Sequence, residues 1–103
     1  MNLNDYQIWT RSTAIYPENM ALEYLALGLC SEAGEVAGKV KKYIRDGGFN
    51  SEALEAEIGD VFWYLCRLVD TLGADPCEIL QSNIDKPEDR KHRDVIKGSG
   101  DNR

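Results

Sequence analysis

Apolar residues recur at every third or fourth position along most of the chain, which is the spacing of one face of an α-helix. Neither the alternation typical of a half-buried strand nor an internal repeat accompanies this pattern. A chain of 103 residues has room for one small domain. The sequence therefore predicts a single all-α domain over residues 1–103, with residues 92–103 as a polar C-terminal tail.

Turn residues and capping residues divide this pattern into four predicted helices. Ser51 is the predicted N-cap of the third helix, and Asp75, followed by a proline, opens the fourth. The fourth helix is expected to turn Ile79, Leu80 and Ile84 towards the core. The predicted helices span about residues 3–13, 18–44, 52–72 and 76–91.

Three glycines lie inside the predicted second helix, at Gly28, Gly34 and Gly38. Each costs a helix about 1 kcal/mol relative to alanine. We therefore expect another helix to approach the backbone closely at these positions.

The net charge of the chain limits the kinds of molecule that it can bind. Eighteen acidic against twelve basic side chains give a formal net charge of −6, which disfavours nucleic acid and anionic membranes as partners. No apolar run is long enough to span a bilayer, and the first residues lack the features of a signal peptide. Three cysteines without paired spacing are expected to be small buried residues in a reducing compartment. The sequence favours a cytoplasmic protein.

Two pairs of acidic residues border the apolar stripes instead of lying opposite them. On a helical projection Glu32 lies about 20° from the nearest core leucine and Glu57 about 20° from another, with Glu35 and Asp60 one turn further on. If the second and third helices pack antiparallel, the two pairs can face one another. Clustered carboxylates need shared protons, basic partners or cations, and all-oxygen donors suit Mg²⁺ or Mn²⁺.

Other candidate ligand-binding residues are cationic, amide or aromatic side chains. Lys39 follows Glu35 by one helical turn, and Asn83, Lys86 and Arg90 recur on the fourth helix. By spacing alone Lys86 and Arg90 form an ordinary exposed pair. Trp9 lies off the apolar stripe of the first helix and is therefore a candidate base-binding residue.

The motif residues Glu32-Ala-Gly-Glu35 and Glu57-Ile-Gly-Asp60, separated by 21 residues, resemble those of MazG-type nucleotide pyrophosphohydrolases. The similarity extends through Asn83 to the glycine-rich segment at residues 98–100. It implies an all-α four-helix bundle of the all-α NTP pyrophosphatase type, completed by oligomerisation as a homodimer or homotetramer. It also implies Mg²⁺-dependent hydrolysis of a nucleoside or deoxynucleoside triphosphate between the α- and β-phosphates, yielding monophosphate and pyrophosphate, in a nucleotide-pool or house-cleaning role.

Carried over residue by residue, the resemblance assigns a metal ion, with Mn²⁺ as a substitute for Mg²⁺, to the four acidic residues, and the phosphate chain to Lys86 and Arg90. Lys39 and Asn83 complete the predicted phosphate-binding set. We further hypothesise that Glu35 accepts the proton of the attacking water. The predicted metal ligands are Glu32, Glu35, Glu57 and Asp60.

Two positions depart from the family pattern, one just before the first motif and one in the fourth helix. Many members carry a further glutamate where this chain has Ser31, and leucine is common where Pro87 follows Lys86. The related phosphoribosyl-ATP pyrophosphohydrolases have a histidine soon after the second motif, where this chain has Trp63. This difference argues against that enzyme, which is one alternative; the other is a helical regulatory module that binds nucleotide or metal without turnover.

Overall fold

Four α-helices form the framework of the computed structural model, which describes residues 1–92. Two short 3-10 turns, Arg11–Thr13 and Glu18–Met20, lie between the first two helices. No strand occurs within the described residues, and the predicted all-α fold is confirmed. The predicted polar tail lies outside them from residue 93 onward. The helices are α1 (Leu3–Thr10), α2 (Ala21–Asp46), α3 (Ser51–Thr71) and α4 (Pro76–His92).

The helix boundaries follow local capping chemistry. Asn50 is the N-cap of α3, since its side chain accepts a hydrogen bond from the Ala53 amide at 3.1 Å. The prediction that Ser51 holds this position was wrong, because Ser51 is already helical. Asp75 caps α4 as predicted, accepting a hydrogen bond from the Cys77 amide at 2.7 Å.

A tight turn brings α2 and α3 together as an antiparallel pair, the main packing contact of the fold. The turn uses Gly47 and Gly48 at φ values of 75° and 72°, which L side chains rarely adopt. A Cβ on Gly28 would overlap the Tyr64 ring, so close approach is confirmed there. The expectation is wrong for Gly34 and Gly38 as far as residues 1–92 are concerned, since no atom of another helix among them lies within 4 Å of a Cβ built there.

A charged network fastens α1 and the first 3-10 turn to the C-terminal part of α3. The Asp70 carboxylate accepts hydrogen bonds from Arg11 Nη2 at 2.8 Å and Arg67 Nη1 at 2.7 Å. These guanidinium groups, Arg11 foremost, lower the pKa of Asp70 from 3.8 to about 2 although burial opposes the shift. Arg67 is buried and also reaches Thr10, which is fully buried. The network therefore holds α1 across the edge of α3.

The apolar core is thin. Leu25 and Cys66 are the buried hydrophobic residues of the described part of the chain. Cys30 and Cys77 are exposed, which corrects the expectation that every cysteine is buried. The prediction of an inward face on α4 was also wrong, because Ile79, Leu80 and Ile84 are 43–52% exposed. The helix α4 packs on α1, and the hydrogen bonds between them lie at the N-terminal end of α4. Much apolar surface is thus left uncovered on the isolated chain.

Candidate metal centre and aromatic groove

Three carboxylates converge where the middle of α2 meets the first half of α3. Glu32 comes from α2, while Glu57 and Asp60 occupy successive turns of α3. One oxygen from each of the three side chains lies within 4.8 Å of the other two. We call this group the carboxylate cluster. The predicted meeting of acidic residues across the two helices is therefore observed for these three.

The surroundings of Glu32 raise the pKa of its carboxyl. Burial is the largest cause, because it withdraws water from the charged form, and the negative charge of Asp60 is the next. A hydrogen bond to Glu57 adds to the effect. Glu57 is in turn approached by the ammonium group of Lys39, with 3.7 Å between Lys39 Nζ and Glu57 Oε1. The ammonium group of Lys39 thus partly compensates the mutual repulsion of the three carboxylates.

The chemistry of the donors fits a hard divalent cation. All three ligands are carboxylate oxygens, the donor type that Mg²⁺ and Mn²⁺ prefer, and neither thiolate nor imidazole contributes to the cluster. Two of the residues are half-buried and one is exposed, which leaves an open side for a ligand. The cluster can therefore hold a divalent metal ion.

Glu35 stands apart from the cluster. It is exposed on α2, and its carboxylate is not among the three that lie within 4.8 Å of one another. Three residues along a helix correspond to a rotation of about 60° and a rise of about 4.5 Å, so Glu35 lies on the flank of the face that carries Glu32. Its charge still contributes to raising the pKa of Glu32.

An open groove of about 330 Å³ runs beside the cluster. Glu32 and Asp60 form its acidic wall, and the remaining lining is largely aromatic. Trp9 is 53% exposed and stacks on Tyr6 with ring centroids 5.7 Å apart. We call this feature the aromatic groove; it is lined by Trp9, Thr13, Glu32, Asp60, Trp63 and Tyr64.

Three further residues line the groove, namely Thr13, Trp63 and Tyr64. The sequence offers Trp63 and Tyr64 for a base pocket, although aromatic residues on helices usually belong to the core. Trp63 follows Asp60 by one helical turn and therefore shares its face. Trp63 Nε1 donates a hydrogen bond to Thr13 Oγ1 at 2.8 Å, which fixes the indole ring against the first 3-10 turn. No sequence signal marks Thr13, because its position depends on how α1 crosses α3.

The predicted phosphate-binding residues of α4 lie elsewhere on this chain. Asn83 and Lys86 line a separate shallow depression on α4, together with Asp75 and Glu78. Arg90, near the end of α4, is buried, with 8% of its surface exposed. Of the four predicted phosphate-binding residues, Lys39 lies beside the carboxylate cluster, through its contact with Glu57.

The fold and the site together define an all-α protein with a cluster of three carboxylates beside an aromatic groove. Residues 21–95 match the family model of the MazG nucleotide pyrophosphohydrolase domain. The chain belongs to this family, whose members act on nucleotides and generally depend on divalent metal ions. It is also 43% identical, over 114 aligned residues covering both chains completely, to the Gene 37 protein of Mycobacterium phage L5.

No solved structure matches the chain at a significant level. Within the described residues, no helix has both the length and the apolar character needed to cross a membrane.

Proposed function

We propose that this protein is a Mg²⁺-dependent nucleoside triphosphate pyrophosphohydrolase with a role in maintaining the nucleotide pool. It cleaves ribo- or deoxynucleoside triphosphates between the α- and β-phosphates and releases the monophosphate and pyrophosphate. The observation that carries the proposal is the position of the carboxylate cluster on the wall of the aromatic groove. A ligand lying there has a flat aromatic surface for a base next to oxygen donors for a phosphate-bound cation.

In this proposal Glu32, Glu57 and Asp60 hold the metal ion, with Glu35 as a fourth ligand on their flank. Mg²⁺ is the preferred ion and Mn²⁺ a substitute. When bound, the ion supplies charge neutralisation for the triphosphate and a lower pKa for a coordinated water. Removing one of the carboxylates from this set is expected to weaken metal binding.

Glu35 is also the proposed general base. Its exposure leaves its carboxylate accessible to solvent, beside the cluster and not within it. It takes the proton of the water whose oxygen attacks the α-phosphorus, while the bond to the bridging oxygen of the β-phosphate breaks and pyrophosphate leaves. A Glu35→Gln variant that keeps both metal affinity and full rate would exclude this role.

Trp9 is the proposed stacking surface for the nucleobase, since its ring is half exposed and lines the aromatic groove. Lys39, Asn83, Lys86 and Arg90 are the proposed phosphate-binding residues. Of these, the three on α4 do not line the aromatic groove of the same chain. We infer that they complete a site only in the assembled protein.

We propose that the assembly is a homodimer or a homotetramer. Ile58, Phe62 and Leu65 form a stripe on α3, and each is 40–49% exposed. A monomeric protein rarely leaves such a stripe in water, and a second copy offers an identical stripe to cover it. Light scattering after size exclusion is expected to give twice or four times the chain mass, and Phe62→Glu is expected to lower it.

The reaction is tested by measuring pyrophosphate release from a panel of ribo- and deoxynucleoside triphosphates, with and without Mg²⁺. A Glu35→Gln, Asp60→Asn double variant serves as the site-deficient enzyme. The proposal predicts release that needs Mg²⁺ and disappears in the folded double variant. Binding without turnover on every nucleotide would instead support a regulatory module, and turnover of phosphoribosyl-ATP alone would support that enzyme's activity.

A further inference from the structure

We propose that Lys39 is a built-in counter-cation of the carboxylate cluster, which competes with the divalent ion for Glu57. While the site is empty, its ammonium group lies against Glu57. When a divalent ion takes the carboxylate, the ammonium group is displaced and becomes available to the phosphates. This inference deepens the proposed function and rests on it, because it presumes that the cluster binds a divalent metal ion.

The Lys39–Glu57 contact is long for an ion pair, so the lysine can be displaced from the carboxylate. The 3.7 Å between Lys39 Nζ and Glu57 Oε1 exceeds the 2.7 Å between Arg67 Nη1 and Asp70 Oδ2 in the structural network. Charge-assisted hydrogen bonds usually measure about 2.7–2.9 Å, so the lysine is held by proximity of charge and not by a tight hydrogen bond. A lysine side chain is also a flexible point charge, whereas an arginine fork fixes its partner in two places.

The partial burial of Glu57 strengthens the effect of the lysine charge on it. The Glu57 side chain is only 20% exposed and the Lys39 side chain 38% exposed. A carboxylate so placed has lost part of its hydration and needs a nearby positive charge. The neighbouring carboxylates of Glu32 and Asp60 increase that need, because their oxygens lie within 4.8 Å of those of Glu57. One ammonium group therefore offsets part of the repulsion while no ion is bound.

An ammonium group and a divalent ion compete for the same carboxylate because like charges repel. At a separation of about 6 Å in water, the repulsion between charges of +1 and +2 corresponds to about a tenfold change in an equilibrium constant. Removal of the lysine charge should therefore strengthen binding of the ion alone. If Lys39 instead served to hold Glu57 in a productive position, its removal would weaken binding.

The position of Lys39 on α2 explains where its charge can go after displacement. It lies one helical turn beyond Glu35 and two turns beyond Glu32, along the face that borders the cluster. Its side chain also lines an open depression beside the α2–α3 turn. The ammonium group can thus leave Glu57 without entering an enclosed apolar space.

The test measures Mn²⁺ binding to the full chain without nucleotide, by the loss of the free-ion EPR signal. The variants are Lys39→Met, Lys39→Arg and, as the matched control, Lys41→Met, an exposed lysine of the same helix. We expect Lys39→Met to tighten Mn²⁺ binding by about three- to tenfold at low salt. The control should change it by less than about twofold because an exposed charge is screened. Lys39→Arg should weaken Mn²⁺ binding, since arginine can bind a carboxylate through two parallel hydrogen bonds and is harder to displace.

An unchanged or weakened Mn²⁺ affinity in Lys39→Met would overturn the inference while leaving the metal site in place. A wild-type protein that binds no Mn²⁺ would overturn the proposed function as well. If Lys39→Met does not fold, the Lys39→Arg variant decides: Mn²⁺ affinity equal to or higher than that of wild type contradicts the competition.

Discussion

Replacing Glu32 by glutamine is expected to stabilise the metal-free protein while removing its response to metal. Glutamine keeps the size and hydrogen-bonding ability of the side chain but carries no charge. With oxygens within 4.8 Å of one another, each like-charge pair costs about 0.9 kcal/mol at the dielectric constant of water. Glu32 forms two such pairs, and screening at physiological salt reduces their sum to about 1 kcal/mol.

The prediction is measured by thermal unfolding followed by circular dichroism, first in EDTA and then with increasing Mg²⁺ or Mn²⁺. A gain of about 1 kcal/mol corresponds to a rise in Tm of about 4–8 °C for a domain of this size. Wild type should gain further stability with metal, because an ion that binds only the folded state shifts the unfolding equilibrium. The variant should not gain it.

Glu55→Gln is the matched control, since Glu55 is an exposed carboxylate on α3 and does not belong to the cluster. It changes the net charge equally but should leave both the Tm in EDTA and the metal response near those of wild type. If Glu32→Gln is no more stable than Glu55→Gln in EDTA, the three carboxylates do not repel one another as the geometry indicates. If Glu32→Gln keeps the full metal response, Glu32 is not a metal ligand.

Three further perturbations test other parts of the structure. Asp70 has a pKa of about 2 in the folded protein, so its ionised carboxylate contributes about 1–2 kcal/mol to the free energy of unfolding above pH 4, and this contribution is lost as the pH falls towards 2. In Asp70→Asn, urea unfolding measured at a series of acid pH values should no longer show this loss, and a pH profile equal to that of wild type would contradict the prediction. Gly28→Ala should lower the free energy of unfolding, because the added Cβ meets the Tyr64 ring. Gly38→Ala should raise it by about 0.5–1 kcal/mol, because alanine is the better helix former and its Cβ has room there. Equal urea midpoints for the two variants would refute the packing argument. Trp9→Ala should raise KM for the nucleotide by about tenfold or more at nearly constant kcat, and an unchanged KM would exclude base stacking there.

The fold was predictable because helix periodicity and capping are local properties. Alternating spacing was absent, and Asp75 marked the start of α4 by its own side-chain chemistry. Ser51 was misjudged as a cap because Asn50 beside it offers an equivalent side-chain acceptor, and one residue decides between them. The outward position of Ile84 was not predictable, since it depends on where α4 leaves the α2–α3 pair.

The site was partly predictable for a similar reason. Angles around single helices placed Glu32 and Glu57 near the core, and the short α2–α3 turn brought them together. Glu35 lies about 60° around α2 from Glu32 and is outside the three-carboxylate cluster, which single-helix angles alone did not decide. The aromatic groove depends on the crossing of α1 over α3, which the long-range hydrogen bonds from Arg11 to Asp70 and from Arg67 to Thr10 hold in place.

The position of the bond that is cleaved tests the account most directly. Each nucleoside triphosphate of the panel would be incubated with the protein and Mg²⁺ in H₂¹⁸O, and the products separated and analysed by mass spectrometry. The account predicts nucleoside monophosphate and pyrophosphate, with the ¹⁸O atom in the monophosphate because water attacks the α-phosphorus. Orthophosphate release, or ¹⁸O in the pyrophosphate, would contradict it.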